Sequence, residues 1–101
     1  MKTFPPSASH EEWLLKKLRK DKQFAIFYLK AAMEDTDEPR VFLSALRQIT
    51  EARGGFAKIA KAAGIQRESL YRALSPKGNP RVSTLSAVAK ALGLKLTLEA
   101  A

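Results

Sequence analysis

The chain has 101 residues, 46% hydrophobic and 28% charged, which is enough for one folded domain. It has no cysteine, which excludes disulfides, thiolate zinc sites and thiol catalysis. Its single histidine, His10, cannot alone form a metal site or a catalytic triad. No apolar run could span a membrane, and the start lacks the apolar core of a secretory signal. We therefore expect no enzyme activity, no metal, no cofactor and no membrane association.

The net charge of +8 is unevenly distributed along the chain. Residues 1–37 contain seven basic and six acidic residues, a balance of +1, whereas residues 38–101 contain eleven and four, a balance of +7. A basic face attracts polyanions, most often nucleic acid, although a merely solvated surface is the alternative. We interpret residues 1–37 as a helical, partner-facing segment and residues 38–101 as a DNA-binding domain.

The first two helices are predicted from their caps and their apolar spacing. Residues 9–12 (SHEE) are a capping box that begins the first helix, and Asp21 can cap the second. In the second helix Phe24, Phe27 and Tyr28 form an apolar stripe that we expect to face the core. On the first helix, Trp13 is either a binding hot spot or a packing residue, and the sequence leaves both readings open.

Four further helices follow. Pro39 suits the first turn of a third helix, which extends to about residue 53. Short helices are predicted over 56–63 and 67–74, and Ser83 or Thr84 is expected to cap a sixth that ends before Gly93.

Residues 94–99 (LKLTLE) alternate strictly between apolar and polar side chains, which predicts a β-strand. A lone strand leaves its backbone groups unpaired. We therefore expect Leu94, Leu96 and Leu98 to form a homodimer contact by antiparallel pairing with a second copy. Pairing with a strand of another protein, or a tail lying flat on the sixth helix, are the alternatives.

Residues 56–75 (FAKIAKAAGIQRESLYRALS) have the pattern of a helix-turn-helix. Ala60 is small where the helices cross, and Gly64 can take the positive φ that a tight turn requires. Ile59, Ile65 and Leu70 form the apolar wedge between the helices. A plain αα-hairpin is the alternative, but the polar and basic outer face of the second helix of this pair (67–74) favours DNA binding.

The residues expected to contact DNA fall into two groups. Arginine and glutamine can each form hydrogen bonds with two atoms of one base, and glutamate can accept a hydrogen bond from cytosine. We therefore expect the N-terminal end and the outer face of the helix over 67–74 to read bases. We expect phosphates to be held by basic residues on the first helix of the helix-turn-helix (56–63) and in the loop after its second helix (67–74). In that loop we also expect free N–H groups at Gly78 and Asn79. The base-reading group is Gln66, Arg67, Glu68, Ser69, Tyr71, Arg72 and Ser75; the phosphate group is Lys58, Lys77, Asn79 and Arg81.

At these positions the chain resembles a known family. The matching motifs are residues 64–65 (GI), 67–71 (RESLY), 73–75 (ALS), 78–80 (GNP) and 91–94 (ALGL), with 28–32 (YLKAA) upstream. They resemble the Xre-type helix-turn-helix antitoxins and, more closely, the HigA-like probable addiction module antidote proteins. The resemblance covers about residues 24–99, and the loop motif LSPKGNP is its most specific part.

The residue patterns predict an all-α domain of five to six helices with a short C-terminal β-strand. The resemblance implies that this domain is lambda-repressor-like. It also implies a cytoplasmic, dimeric repressor of its own operon that binds double-stranded operator DNA and neutralises a basic RelE/ParE-like toxin. Two alternatives stay open. One is a helical protein-interaction module, and the other is a stand-alone phage-type repressor without a toxin partner.

Overall fold

A computed structural model of the chain describes residues 10–34 and 38–101. All regular secondary structure in these residues is helical, which confirms the all-α prediction. The six helices are α1 (His10–Lys20), α2 (Lys22–Glu34), α3 (Pro39–Ala52), α4 (Gly55–Ala63), α5 (Arg67–Ala73) and α6 (Val82–Ala91).

Local chemistry accounts for several of the helix ends. The Asp21 carboxylate accepts a hydrogen bond from the Phe24 backbone N–H at 3.0 Å, so this residue caps α2 as predicted. Pro39 occupies the first turn of α3, also as predicted. Ser9, the cap residue of the capping box predicted over residues 9–12, lies outside the described residues, so this cap stays a prediction.

The predicted cap of α6 is wrong. This helix begins at Val82, and neither Ser83 nor Thr84 precedes its first turn. The extended residue before it is Arg81, which makes no side-chain cap bond. Helical hydrogen bonding already includes Arg81, whose carbonyl accepts from the Leu85 N–H at 3.0 Å, so both hydroxyl residues lie within the first turn.

One core joins all six helices. The central helix α3 packs on α1, α2 and α4, while α4 also packs on α5 and α6. Leu18 of α1 belongs to the same buried cluster as Ile49, Leu70 and Val88. The residues before and after position 37 therefore share a core, and their division into two functional parts stays a prediction.

The apolar stripe of α2 does not face the core as a whole. Phe24 and Tyr28 are half-buried, but Phe27 is 66% exposed. The buried residue of this helix is Ala25, which lies about 200° from Phe27 around the helix axis. Because α2 packs only on α1 and α3 among the helices that the structure describes, it buries one narrow side, and the prediction that Phe27 lies in the core is wrong.

The predicted C-terminal β-strand is absent from the described residues. Gly93, with φ of 77°, ends α6, and the Leu94 N–H donates to the Ala89 carbonyl at 2.8 Å, as in a Schellman motif. Residues 94–101 then have no regular structure. Leu94 packs against the core, whereas Leu96 is exposed and Leu98 is 96% exposed. Alternating side chains stabilise a strand only beside a second one, and the described residues offer none.

None of the helices in residues 10–34 and 38–101 is long and apolar enough to cross a lipid bilayer.

Candidate nucleic-acid interface

A left-handed glycine joins α4 to α5. Gly64 has φ of 73° and ψ of 31°, a conformation that costs other L-residues about 1–2 kcal/mol. Its N–H donates to the Lys61 carbonyl at 3.2 Å, and the Ile65 N–H donates to the Ala60 carbonyl at 2.9 Å. These two bonds satisfy the last carbonyls of α4 and turn the chain into α5.

The inner sides of α4 and α5 are apolar, as predicted. Ile59, Ala60, Leu70 and Leu74 are buried, and Ile65 packs against the same cluster. This packing fixes which side of α5 faces outward.

The outward side of α5 brings together most of the predicted base-reading residues. Arg67, Glu68, Tyr71 and Arg72 are exposed and line one shallow depression with the half-buried Ser75. Gln66 precedes the helix in an extended conformation, and its side chain forms no cap bond. Ser69 lies to one side of this group and is half-buried.

Tyr71 is 61% exposed but held by a residue of α4. Its ring meets that of Phe56 nearly edge-on, with centroids 5.2 Å apart and an interplanar angle of 63°. Sequence reasoning did not identify Phe56 as a positioning residue. The only signal is an aromatic residue in the first turn of α4, and this does not reveal which part of α5 it meets.

Two hydrogen-bonded groups stabilise the end of α5. The Ser75 hydroxyl donates to the Arg72 carbonyl at 2.7 Å, so its oxygen keeps only acceptor capacity for a ligand. The Arg47 guanidinium of α3 donates to the Leu74 carbonyl at 2.9 Å. Sequence reasoning missed Arg47, because 27 residues separate these two positions.

The predicted phosphate-binding residues lie on α4 and in the loop after α5. Lys58, Lys77, Asn79 and Arg81 are all exposed. The Gly78 N–H is not free, as it was expected to be, since it donates to the Ser75 carbonyl at 2.8 Å. A side chain at Gly78 would collide with the backbone of Ala73, so this loop folds tightly against the end of α5.

The charges of this surface are not neutralised within the chain. Arg67, Arg72, Lys58, Lys77 and Arg81 form no ion pair with any described residue. By contrast, the ion pairs in the described residues involve α1, α2, the start of α3 and the C-terminal tail: Lys17–Asp21, Arg40–Glu38 and Lys30–Glu99. The described residues contain no cluster of three or more metal-binding side chains.

Comparison with known proteins places the chain in a family. The family model described as "Probable addiction module antidote protein" matches residues 12–100. An uncharacterized protein of Haemophilus influenzae is 43% identical over 72 residues, which cover 71% of this chain and 72% of that protein. No solved structure matches the chain. A family of antidotes implies a cognate toxin as partner, and the predicted antidote family is confirmed. The chain belongs to the family of probable addiction module antidote proteins.

Proposed function

We propose that this antidote is a sequence-specific DNA-binding repressor of its own operon, and that the toxin it neutralises is of the RelE/ParE-like class. Helices α4 and α5 act as the helix-turn-helix, with α5 in the major groove. One observation carries the DNA-binding part: exposed cations that form no ion pair with any described residue gather on the outer face of α5 and on the segments on either side of it.

In this proposal the outer face of α5 reads bases. Arg67 and Arg72 each donate to O6 and N7 of a guanine, and Gln66 pairs with an adenine. Glu68 and Tyr71 support them at the edge of the groove. The exposure of all five side chains supports this role, since a base reader must reach past its own backbone.

The phosphate contacts flank the reading helix. Lys58 projects from α4, the helix that crosses the DNA backbone in this motif. Lys77, Asn79 and Arg81 follow α5 in a loop that the Gly78 turn holds close to it. Because phosphates look alike in every sequence, these four contacts add affinity without specificity.

A homodimer is part of the proposal, but it is not formed through a strand ladder. Val82 of α6 is 72% exposed, and Leu96 and Leu98 of the tail are exposed as well. Contact between these apolar side chains and those of a second copy would give a two-fold dimer, which is the symmetry that a palindromic operator matches.

Binding to the DNA upstream of the gene, measured at several salt concentrations, tests the DNA-binding part. We expect log K to fall by several units per unit of log[salt], and unlabelled upstream DNA to compete far better than random DNA. Binding without sequence preference would instead favour the protein-interaction module. The stand-alone repressor would be favoured if the protein binds its operator but has no affinity for the product of any adjacent toxin-like reading frame.

A further inference from the structure

The outward side of α2 carries apolar side chains that the core does not cover. Phe27, Ala31 and Glu34 recur at the i, i+4, i+7 spacing of one helix face, and all three are exposed. The ring of Phe24 lies one turn earlier, with its centroid 6.5 Å from that of Phe27. An apolar strip that ends in a carboxylate therefore faces solvent.

This strip continues onto α1. Trp13 is 40% exposed, and its ring meets that of Phe24 nearly edge-on at 6.2 Å. The Lys17 ammonium lies 5.6 Å from the centre of the Phe24 ring and also pairs with Asp21 at 3.4 Å. Clustered aromatic residues with partial exposure are typical of the centre of a protein interface.

The strip also continues into a groove between α2 and α3. Tyr28 stacks on Phe24, with centroids 6.1 Å apart, and lines a groove of about 520 Å³ together with Ala31, Ala32 and Val41. The Tyr28 hydroxyl donates to Gln48 Oε1 at 2.7 Å, so the ring is fixed in place. The groove and the strip thus form one surface, preformed for an apolar segment.

Arg47 in the groove has a positive charge with no ion-pair partner among the described residues, whereas the unpaired charge at the Glu34 end of the strip is negative. Of the two arginines in the groove, Arg40 pairs with Glu38 at 3.5 Å and Arg47 donates to the Leu74 carbonyl. Glu11 and Glu34 form no ion pair with the described residues.

The negative charge of Glu11 acts on Tyr28, which lines the groove. Burial raises the pKa of the Tyr28 hydroxyl above its ordinary value, and the nearby carboxylate of Glu11 raises it further. Lys16, which forms no ion pair with the described part of the chain, lies one turn from Trp13 on α1. The Glu34 end of the surface is therefore the end that suits a basic residue.

We propose that this surface, formed by Trp13, Phe24, Phe27, Tyr28, Ala31 and Glu34, binds a segment of the cognate toxin that carries apolar side chains followed by a lysine or arginine. The proposal rests on the proposed function. The RelE/ParE-like toxin of the proposed function is expected to be basic, which matches Glu34, a carboxylate with no ion pair among the described residues. The strip lies on α1 and α2, which pack on neither α4 nor α5, whereas the groove reaches Pro76 in the loop after α5.

The test measures the affinity of the full chain for the purified product of the adjacent toxin-like reading frame. Phe27→Ala is expected to weaken this binding at least about 30-fold, as for an interface hot spot. Ala31→Trp, which blocks the groove, and Glu34→Lys, which reverses the charge, are expected to weaken it about tenfold or more. Operator affinity of all three variants is expected to stay within about twofold of wild type.

Matched controls separate this surface from others. Ala62→Trp places the same large side chain on an exposed alanine of α4, and Tyr71→Ala removes an exposed aromatic ring from α5. Neither is expected to change toxin affinity. Because Phe27 is exposed, Phe27→Ala is expected to unfold at the wild-type temperature, which excludes loss of fold as the cause.

The outcomes distinguish failure of the surface assignment from failure of the proposed function. Wild-type toxin affinity in Phe27→Ala and Ala31→Trp would overturn the surface assignment and leave the proposed function intact. A wild-type chain that does not bind the toxin-like product would remove the toxin part of the proposed function, and this inference with it.

Discussion

Arg47 of α3 holds the end of α5, because its guanidinium donates a hydrogen bond to the carbonyl oxygen of Leu74 at 2.9 Å. Arg53, which caps the C-terminus of α3, has a similar role elsewhere, because its Nε donates to the Leu18 carbonyl of α1 at 3.2 Å. The central helix thus anchors the proposed reading helix through one guanidinium and the first helix through another.

These two arginines make a matched pair for mutation. Arg47→Met and Arg53→Met each remove one hydrogen bond from a charged donor, so we expect each to lower the free energy of unfolding by about 1.5–3 kcal/mol. Only Arg47→Met should also lower operator affinity, since only it releases the end of α5. Urea unfolding and operator titration measure the two effects. Equal loss of DNA affinity in both variants would mean that general destabilisation is the cause.

Lys77 is expected to act as a phosphate contact. Lys77→Ala should weaken binding to operator and random DNA by the same factor and reduce the slope of log K against log[salt] by about one. Lys16→Ala, which removes the same charge from an exposed position on α1, should leave the slope unchanged. A shift in the preferred DNA sequence of Lys77→Ala would show instead that this lysine reads bases.

Two glycines should differ in their tolerance of alanine. Gly64 has open space around a built side chain, so Gly64→Ala should cost only the strain of positive φ, about 1–2 kcal/mol. Gly78→Ala should cost more, because its methyl group would meet the backbone of Ala73 and the loop would have to move. Thermal unfolding of both variants measures this order. Gly78→Ala with wild-type stability would contradict the tight loop.

Asp21 should make the stability of the chain depend on acid pH. The hydrogen bond from the Phe24 N–H holds the pKa of the Asp21 carboxyl below its ordinary value of 3.8. Burial opposes this shift, and Lys17 adds to it. A lowered pKa stabilises the fold above pH 3.8, and this contribution is lost as pH falls through the folded-state pKa. Asp21→Asn can still cap α2 but carries no charge.

Unfolding of wild type and Asp21→Asn across acid pH measures this contribution. The wild type should be the more stable protein at neutral pH, and the difference should shrink below pH 3.8. A difference that is constant with pH would mean that the carboxylate charge contributes nothing.

The structure also separates what the sequence could predict from what it could not. Asp21, Pro39, Gly64 and Gly93 act through residues at most a few positions away, so their effects on helix ends were predictable. The base-reading residues of α5 were predicted to share a face for the same reason, since one helix turn relates them.

The missed features depend on contacts that the local pattern does not contain. Phe27 has the spacing of a core residue, but within residues 10–34 and 38–101 no third helix packs on α2 to cover it. Residues 94–99 have the alternation of a strand without a strand beside them. The contacts Phe56–Tyr71 and Arg47–Leu74 join residues 15 and 27 positions apart, and only the packed fold brings them together.

The most direct test of the account is a double-mutant cycle between α5 and its operator. Operator affinity is measured for wild type, Arg67→Ala and Arg72→Ala, each against operators changed at one base pair at a time. We expect each variant to be insensitive to the change at one position, with a coupling of about 1–3 kcal/mol there, and to retain the wild-type fold. Operator affinity and base preference unchanged in both variants would contradict the claim that α5 reads DNA.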